Sequence, residues 1–291
     1  MKLNFKKTAA ALLAGVCVAS MALTAAAGAT MDEKRNIPMA ATAPTIDGVI
    51  SGDEWDNALT IAMNKDTCDA VAGTLDTCPT ATFYWMWDYE GMYFFADVKD
   101  ATDAGYKNGR NVGSYNNGDG IQFCIYPDLT ASGSNVGDLY FWSLVVADDG
   151  NAEIGEHFVF GTGSAGGDVE DAVVACTQNG TNYTIEAFMP AVCWESSNTP
   201  IVVVEGTTFA MTNVIMEHDG ATQSLIIDSS WFDANTANKY TLTTDVAGHV
   251  DAPEVVEDVA DTAAPQTFDM GVVAAVAAIV SAAGYAISKK R

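Results

Sequence analysis

Runs in which apolar and polar side chains alternate at every second residue constrain this chain more than any other feature. They occupy 82–87, 92–98, 120–126, 139–147, 156–160, 171–177, 183–190, 208–216 and 239–243, separated by stretches rich in Gly, Asn, Asp and Pro. Successive side chains of an extended strand point to opposite faces, so such runs build sheets with at least one buried face. Short strands at this spacing, with hardly any helical period between them, predict an all-β fold: an antiparallel β-sandwich of the jelly-roll or immunoglobulin-like kind. The stretch 161–167 is Gly-rich, but it holds no Gly-Lys-Ser/Thr and starts no helix, so it reads as a hairpin loop and not as a phosphate cradle.

The two ends have a different character. Residues 1–29 carry Lys2, Lys6 and Lys7, then an apolar run over 8–23, then small residues ending in Ala27-Gly28-Ala29, the order of a secretory signal peptide. At the other end Ala264-Pro265-Gln266-Thr267-Phe268-Asp269 precedes the uncharged stretch 270–288, followed by Lys289, Lys290 and Arg291. About 20 apolar residues span a bilayer, and terminal cations stop such a helix on the cytoplasmic side. This three-part tail resembles the cell-wall sorting signals of Gram-positive bacteria, in which a transpeptidase cuts after the Thr of a Leu-Pro-x-Thr-Gly motif. Ala264 and Phe268 stand here in place of the Leu and the Gly. The resemblance implies covalent attachment at Thr267, the alternative being a retained transmembrane helix. Either way the expected location is the surface of a Gram-positive cell, with the protein secreted and anchored to wall or membrane. Residues 249–265, rich in Ala, Val, Asp, Glu and Pro, read as an extended, self-repelling stalk. The expected order is therefore signal peptide 1–29, sandwich 30–248, acidic stalk 249–265 and anchor 266–291.

Charge narrows the partners. The 13 Lys and Arg against 38 Asp and Glu give a net charge of −25, which repels phosphate backbones and excludes nucleic acid as the main partner. A hydrophobic content of 49% is too high for a disordered acidic tail, so the middle of the chain buries a core. Five cysteines lie outside the signal peptide: Cys68, Cys78, Cys124, Cys176 and Cys193. Export permits disulfides, and Cys68 and Cys78, flanking a short acidic loop, are the expected pair, with at least one thiol left over. Cys124 sits in an apolar alternation and is expected to be a buried thiol. No Cys-x-x-Cys occurs, and His157, His218 and His249 are too scattered for a zinc site. No motif demands a cofactor. Structural calcium is the one ion that oxygen-rich clusters such as Asp100 with Asp103, or Asp148 with Asp149, would suit.

Four segments carry a family resemblance. Ile46-Asp47-Gly48-Val49-Ile50, followed by Asp53-Glu54-Trp55-Asp56-Asn57-Ala58, is similar to the opening motif of family 9 carbohydrate-binding modules. Trp87-Asp88-Tyr89-Glu90-Gly91-Met92-Tyr93-Phe94-Phe95-Ala96-Asp97-Val98-Lys99-Asp100 looks like their central hairpin. Gly118-Asp119-Gly120-Ile121-Gln122-Phe123 resembles the strand that follows, and Tyr183-Thr184-Ile185-Glu186-Ala187-Phe188-Met189-Pro190 a later one. In order and spacing these cover most of 42–245. The resemblance implies a β-sandwich of the kind attached to xylanases and other polysaccharide hydrolases, in which two tryptophans clamp a terminal sugar while carboxylate, amide and guanidinium groups bond its hydroxyls. The physics is general: C–H faces of a pyranose pack on aromatic planes, and a few polar groups fix orientation. On this sequence one clamp position falls at Tyr115-Asn116-Asn117, the acidic position of the following strand is Gln122, and the second clamp falls at Ser230-Trp231-Phe232-Asp233-Ala234-Asn235. The candidate sugar-binding residues are Trp231, Tyr115, Gln122, Asn116 and Asn235, with Trp142, midway along its run, as a further groove-facing candidate. Trp55, after a turn, is expected in the core, as is at least one of Trp85 and Trp87, which share a face by their spacing.

The expected function is non-catalytic, surface-displayed binding of plant-type polysaccharide, such as xylan or cellulose fragments, in support of neighbouring glycoside hydrolases. Glu54, Asp88, Glu90, Asp119, Glu153, Glu156 and Glu186 offer the carboxylate pairs that a glycosidase needs, but in so acidic a chain such pairs arise by chance, and no enzyme is expected. Two alternatives stand beside this reading. Related sandwiches resembling this module bind haem b between Met and His or Lys ligands, for which Met86, Met92 and His157 or His218 would serve; the other alternative is an adhesin or structural module without sugar binding. The sandwich is expected to be a monomer whose partner is a polysaccharide or oligosaccharide. Deleting 267–291 is expected to move the protein from cells into the medium, followed by immunoblot of both fractions, because no other segment after the signal peptide is apolar enough to hold a membrane. Full retention on the cells would mean that the sandwich grips the wall itself.

Overall fold

A computed structural model describes residues 29, 31–100, 118–131, 139–146, 151–156, 158–159, 164–165, 169, 171–195, 199–218 and 223–245. The expected signal peptide, stalk and anchor, with Thr267, lie outside the described residues, as do Tyr115, Asn116 and Asp103. The strands are β1 Lys34–Pro38, β2 Leu59–Met63, β3 Asp69–Ala72, β4 Thr80–Asp88, β5 Gly91–Lys99, β6 Gly120–Tyr126, β7 Tyr140–Val146, β8 Ala152–Glu156, β9 Phe158–Val159, β10 Ser164–Ala165, β11 Val173–Asn179, β12 Asn182–Pro190, β13 Thr208–His218, β14 Gln223–Ile227 and β15 Asn238–Thr243. A short 3₁₀ turn, Ala191–Glu195, follows β12. Among the described residues no helix is long and apolar enough to cross a membrane.

Two sheets face each other. One runs β1-β15-β13-β6-β7-β8, with β14 beside β13 and β3 beside β14; the other runs β11-β12-β5-β4-β2. The long β13 pairs with β15 over Thr208–Met211 and with β14 over Val214–His218, so it organises the larger sheet. The expected all-antiparallel pairing needs one correction: β1 lies parallel to β15, with Lys34 opposite Lys239 and Pro38 opposite Thr243. The first strand closes the sheet beside the last, a contact across some two hundred residues that no local pattern encodes. The run expected at 156–160 is also displaced, since β8 occupies Ala152–Glu156 and β9 only Phe158–Val159.

Side-chain alternation sends Phe83, Trp85 and Trp87 of β4, Phe94 of β5, Phe123 of β6 and Trp142 of β7 into the space between the sheets. Trp85 lies 4.9 Å from both Phe94 and Phe123, and Trp142 lies 4.6 Å from Trp194, contacts at the tilted and edge-on angles aromatic pairs prefer. Each such ring buried contributes about 1.5–3 kcal/mol. The expected Cys68–Cys78 disulfide is corrected: both are free thiols. Cys68 Sγ faces Met63 Sδ at 3.9 Å, whereas Cys78 Sγ donates to the Pro79 carbonyl at 3.3 Å, so the two sulfurs turn to different partners. Burial pushes the Cys68 thiol up to about 12 and the Cys78 thiol up to about 11, which keeps both protonated. Cys124 is buried, as its alternation predicts.

The opening motif owes its form to a carboxylate far along the chain. Residues 40–58 cover the outer face of the smaller sheet, where Trp55 packs with Met86, Tyr93 and Phe95. Beneath them Glu186 Oε2 accepts the N–H groups of Asp47 (2.9 Å) and Gly48 (2.7 Å), and its Oε1 accepts the Trp55 indole N–H (3.1 Å). Gly48 has φ +85°, and a Cβ there would stand 2.9 Å from the Cys176 carbonyl carbon, so only glycine lets the segment approach. Burial holds the Glu186 carboxyl above its ordinary range against the pull of the three donors. Glu186→Ala would strand the buried N–H groups of Gly48 and the Trp55 indole and the half-buried one of Asp47, and is expected to lower the unfolding free energy by about 3–5 kcal/mol in a urea titration. A loss below about 1 kcal/mol would contradict this latch.

Candidate functional site

The face of the larger sheet that points away from the core is partly apolar and partly polar. Gln122, Cys124 and Tyr126 of β6 alternate with the inward Ile121, Phe123 and Ile125, and Phe141 and Ser143 of β7 alternate with the inward Tyr140, Trp142 and Leu144. Register aligns them in rows: Cys124 stands opposite Phe141 and Thr212, and Gln122 opposite Ser143 and Val214.

The segment from Asp228 to Ala237, between β14 and β15, folds over this face. Thr212 Oγ1 bonds the Ser229 hydroxyl at 3.1 Å, the Tyr126 hydroxyl accepts the Phe232 N–H at 2.9 Å, and the Ala234 N–H donates to the Ala131 carbonyl at 2.8 Å. These ties set the half-buried Trp231 edge-on to Phe141, with centroids 5.7 Å apart, and 4.6 Å from Phe232. Phe232 has φ +54°, in the left-handed region that a bulky side chain rarely adopts. Such strain, of order 1–3 kcal/mol, persists only where surroundings enforce it, and here it holds two aromatic rings side by side at the surface.

Trp231 and Gln122, 109 positions apart in the sequence, thus belong to one face. Phe141, against which Trp231 packs, is two residues from Ser143 along β7, a spacing of about 7 Å between the aromatic row and the Gln122–Ser143 row of the same strands. Gln122 is buried; its Nε2 donates to Ser143 Oγ at 3.0 Å, while its Oε1 has no hydrogen-bond partner. Asn235 is exposed on the Trp231 segment and donates to the Thr130 carbonyl and to Asp233 Oδ1, each at 3.3 Å. Tyr115 and Asn116 lie outside the described residues. Trp142 is corrected: it is 2% exposed, on the inward face of β7 against Tyr140 and Trp194, where no ligand reaches it. Its neighbours Phe141 and Ser143, not singled out from the sequence, occupy the outward face instead.

Other candidates resolve differently. Met86 packs on the outer side of the smaller sheet with Trp55, whereas Met92 packs on the inner side. His218 ends β13, and His157 lies outside the described residues. Glu186 is committed to the latch, Asp88 accepts the Glu90 N–H and the Tyr93 hydroxyl, both at 2.7 Å, and Glu54 accepts the Thr45 N–H at 3.3 Å. These carboxylates organise turns and segments. A concavity of about 290 Å³ beside β2 is lined in part by Glu33, Arg35, Thr60 and Asp228; in it Arg35 is paired to Glu33 and Asp228, each at 2.7 Å, and closes the sheet edge.

Asp100 has neighbours that its sequence position does not reveal. It follows β5, and at the same end of the sandwich stand Asp119, just before β6, and Glu217 of β13; the carboxylate oxygens of the three lie within 4.8 Å of one another. The His218 N–H donates to Asp119 Oδ1 at 2.9 Å, and the Asp100 carbonyl accepts the Thr181 hydroxyl at 2.7 Å. Burial pushes the Asp119 carboxyl up to about 7, opposed by the His218 N–H and reinforced by Asp100.

Comparison with known proteins gives fold likenesses only. A family 9 carbohydrate-binding module from Caldicellulosiruptor kristjanssonii in complex with cellotriose is similar to this chain at 17% identity and a TM-score of 0.49, over 75% of this chain and 97% of that one. The module from the same organism in complex with glucose is similar at 18% identity and a TM-score of 0.48, over 76% and 100%. No family model and no curated protein matches the sequence.

Proposed function

We propose that this protein is a non-catalytic carbohydrate-binding protein, exported and displayed at the surface of a Gram-positive cell, that holds plant-type polysaccharide such as xylan or cellulose fragments for neighbouring glycoside hydrolases. The observation that carries the reading is the half-buried Trp231, tilted against Phe232 and edge-on to Phe141, on a segment whose strained backbone holds it over the outer face of the larger sheet. A pyranose C–H face covers an indole well, and Trp231 is the candidate aromatic that is only half-buried, whereas Gln122 is covered and offers a sugar no exposed atom. The motif resemblance over 42–245 supports the same reading. Export and display rest on the signal-peptide order of 1–29 and the sorting-signal-like tail, with 249–265 as the stalk between sandwich and wall.

Isothermal titration of the full-length chain with cello- and xylo-oligosaccharides tests this. Trp231→Ala is expected to weaken binding roughly tenfold to a hundredfold, or about 1–3 kcal/mol. The same substitution should lower stability by no more than about 1–2 kcal/mol, whereas Trp142→Ala in the core should cost about 3–5 kcal/mol. Unchanged affinity in Trp231→Ala would place the sugar elsewhere.

A further inference from the structure

The end of the sandwich where the two sheets close on Asp100 carries an arrangement the sugar reading leaves unused. Asp100 and Tyr183 come from the smaller sheet, Asp119 and Glu217 from the larger, and the strand register sets Glu217 next to Asp119 and Tyr183 next to Val98, two residues before Asp100. Glu217 is 1% exposed, Asp100 7% and Tyr183 6%. The Tyr183 hydroxyl is buried without a hydrogen-bond partner, and it feels the charge of all three carboxylates. A buried hydroxyl left unpaired is rare and calls for a partner. Carboxylates so close together in a medium of low dielectric repel one another, and a cation between them reverses that cost.

We propose that Asp100, Asp119 and Glu217 bind a calcium ion between the two sheets, with the Tyr183 hydroxyl turned toward it. The donors are all oxygens, three of them carboxylates, which selects a hard cation over zinc or copper. Calcium accepts six to eight oxygens in irregular geometry, whereas magnesium keeps several waters, for which the burial of Glu217 and Asp100 leaves little room. The ion joins side chains from four strand ends and ties the two sheets where side-chain packing gives way to charge. It does not depend on sugar binding, and sugar titrations leave it untouched.

The test uses the full-length chain treated with EDTA and dialysed, then titrated with calcium chloride and, separately, magnesium chloride, followed by thermal unfolding and by metal analysis of the equilibrated protein. Calcium is expected to be retained at one equivalent and, at tenfold excess over Kd, to raise the unfolding midpoint by roughly 3–6 °C. Magnesium should do so only at much higher concentration. Glu217→Gln and Asp119→Asn should lose the calcium shift; should Glu217→Gln not fold, the less buried Asp119→Asn carries the same comparison. A wild-type midpoint indifferent to calcium overturns the proposal, and so does a calcium shift that survives in Asp119→Asn.

Discussion

The two-residue alternation of β6, β7 and β13 is the constraint from which the rest follows. Once Phe123, Trp142 and Met211 point into the sandwich, Cys124, Phe141 and Thr212 have to point out of it, and a one-residue slip would exchange the two sets. The inward set is a continuous aromatic core. The outward set is itself buried, with Phe141 two residues from the Gln122–Ser143 pair, and the segment after β14 packs the half-buried Trp231 on its aromatic side. The proposed binding face is thus the other side of the same strands that build the core.

Acidic residues make the chain strongly negative, yet several of them work inside it. Glu186 gathers three N–H donors from the opening motif, Asp228 binds Arg35 and both the backbone and side-chain N–H of Asn213, and Asp88 ties a hairpin to Tyr93. A buried carboxylate is tolerated where donors surround it, and each of these has them. Their positions explain why the motifs look as they do: the Trp55 indole answers Glu186, 131 residues further on, and Gly48 is required by its positive φ and its approach to Cys176.

Much of this was legible in the sequence. The runs at 82–87, 92–98, 120–126, 183–190 and 208–216 all lie within observed strands, because each carries enough large apolar residues at alternate positions to show its period. Short strands did not show: β1, β2, β3 and β14 are four or five residues long, too short to display a period. The face of Trp142 was hidden because Tyr140 to Val146 is apolar on both sides except at Ser143, the one polar residue that marks the outward row. Proximity in sequence misled at Cys68 and Cys78, and distance in sequence concealed the grouping of Asp100 with Asp119 and Glu217, which only the packing of two sheets brings about.

The central claim is that sugar meets the outward face at Trp231 and not the core. It is tested most directly by two-dimensional nitrogen–proton spectra of the indole N–H groups of the chain's six tryptophans during titration with a cello-oligosaccharide. The account predicts that the Trp231 resonance, assigned by its loss in Trp231→Phe, moves progressively to saturation while those of Trp142 and Trp194 stay in place. Saturable binding that leaves Trp231 unmoved, or that moves Trp142 in its stead, would contradict it.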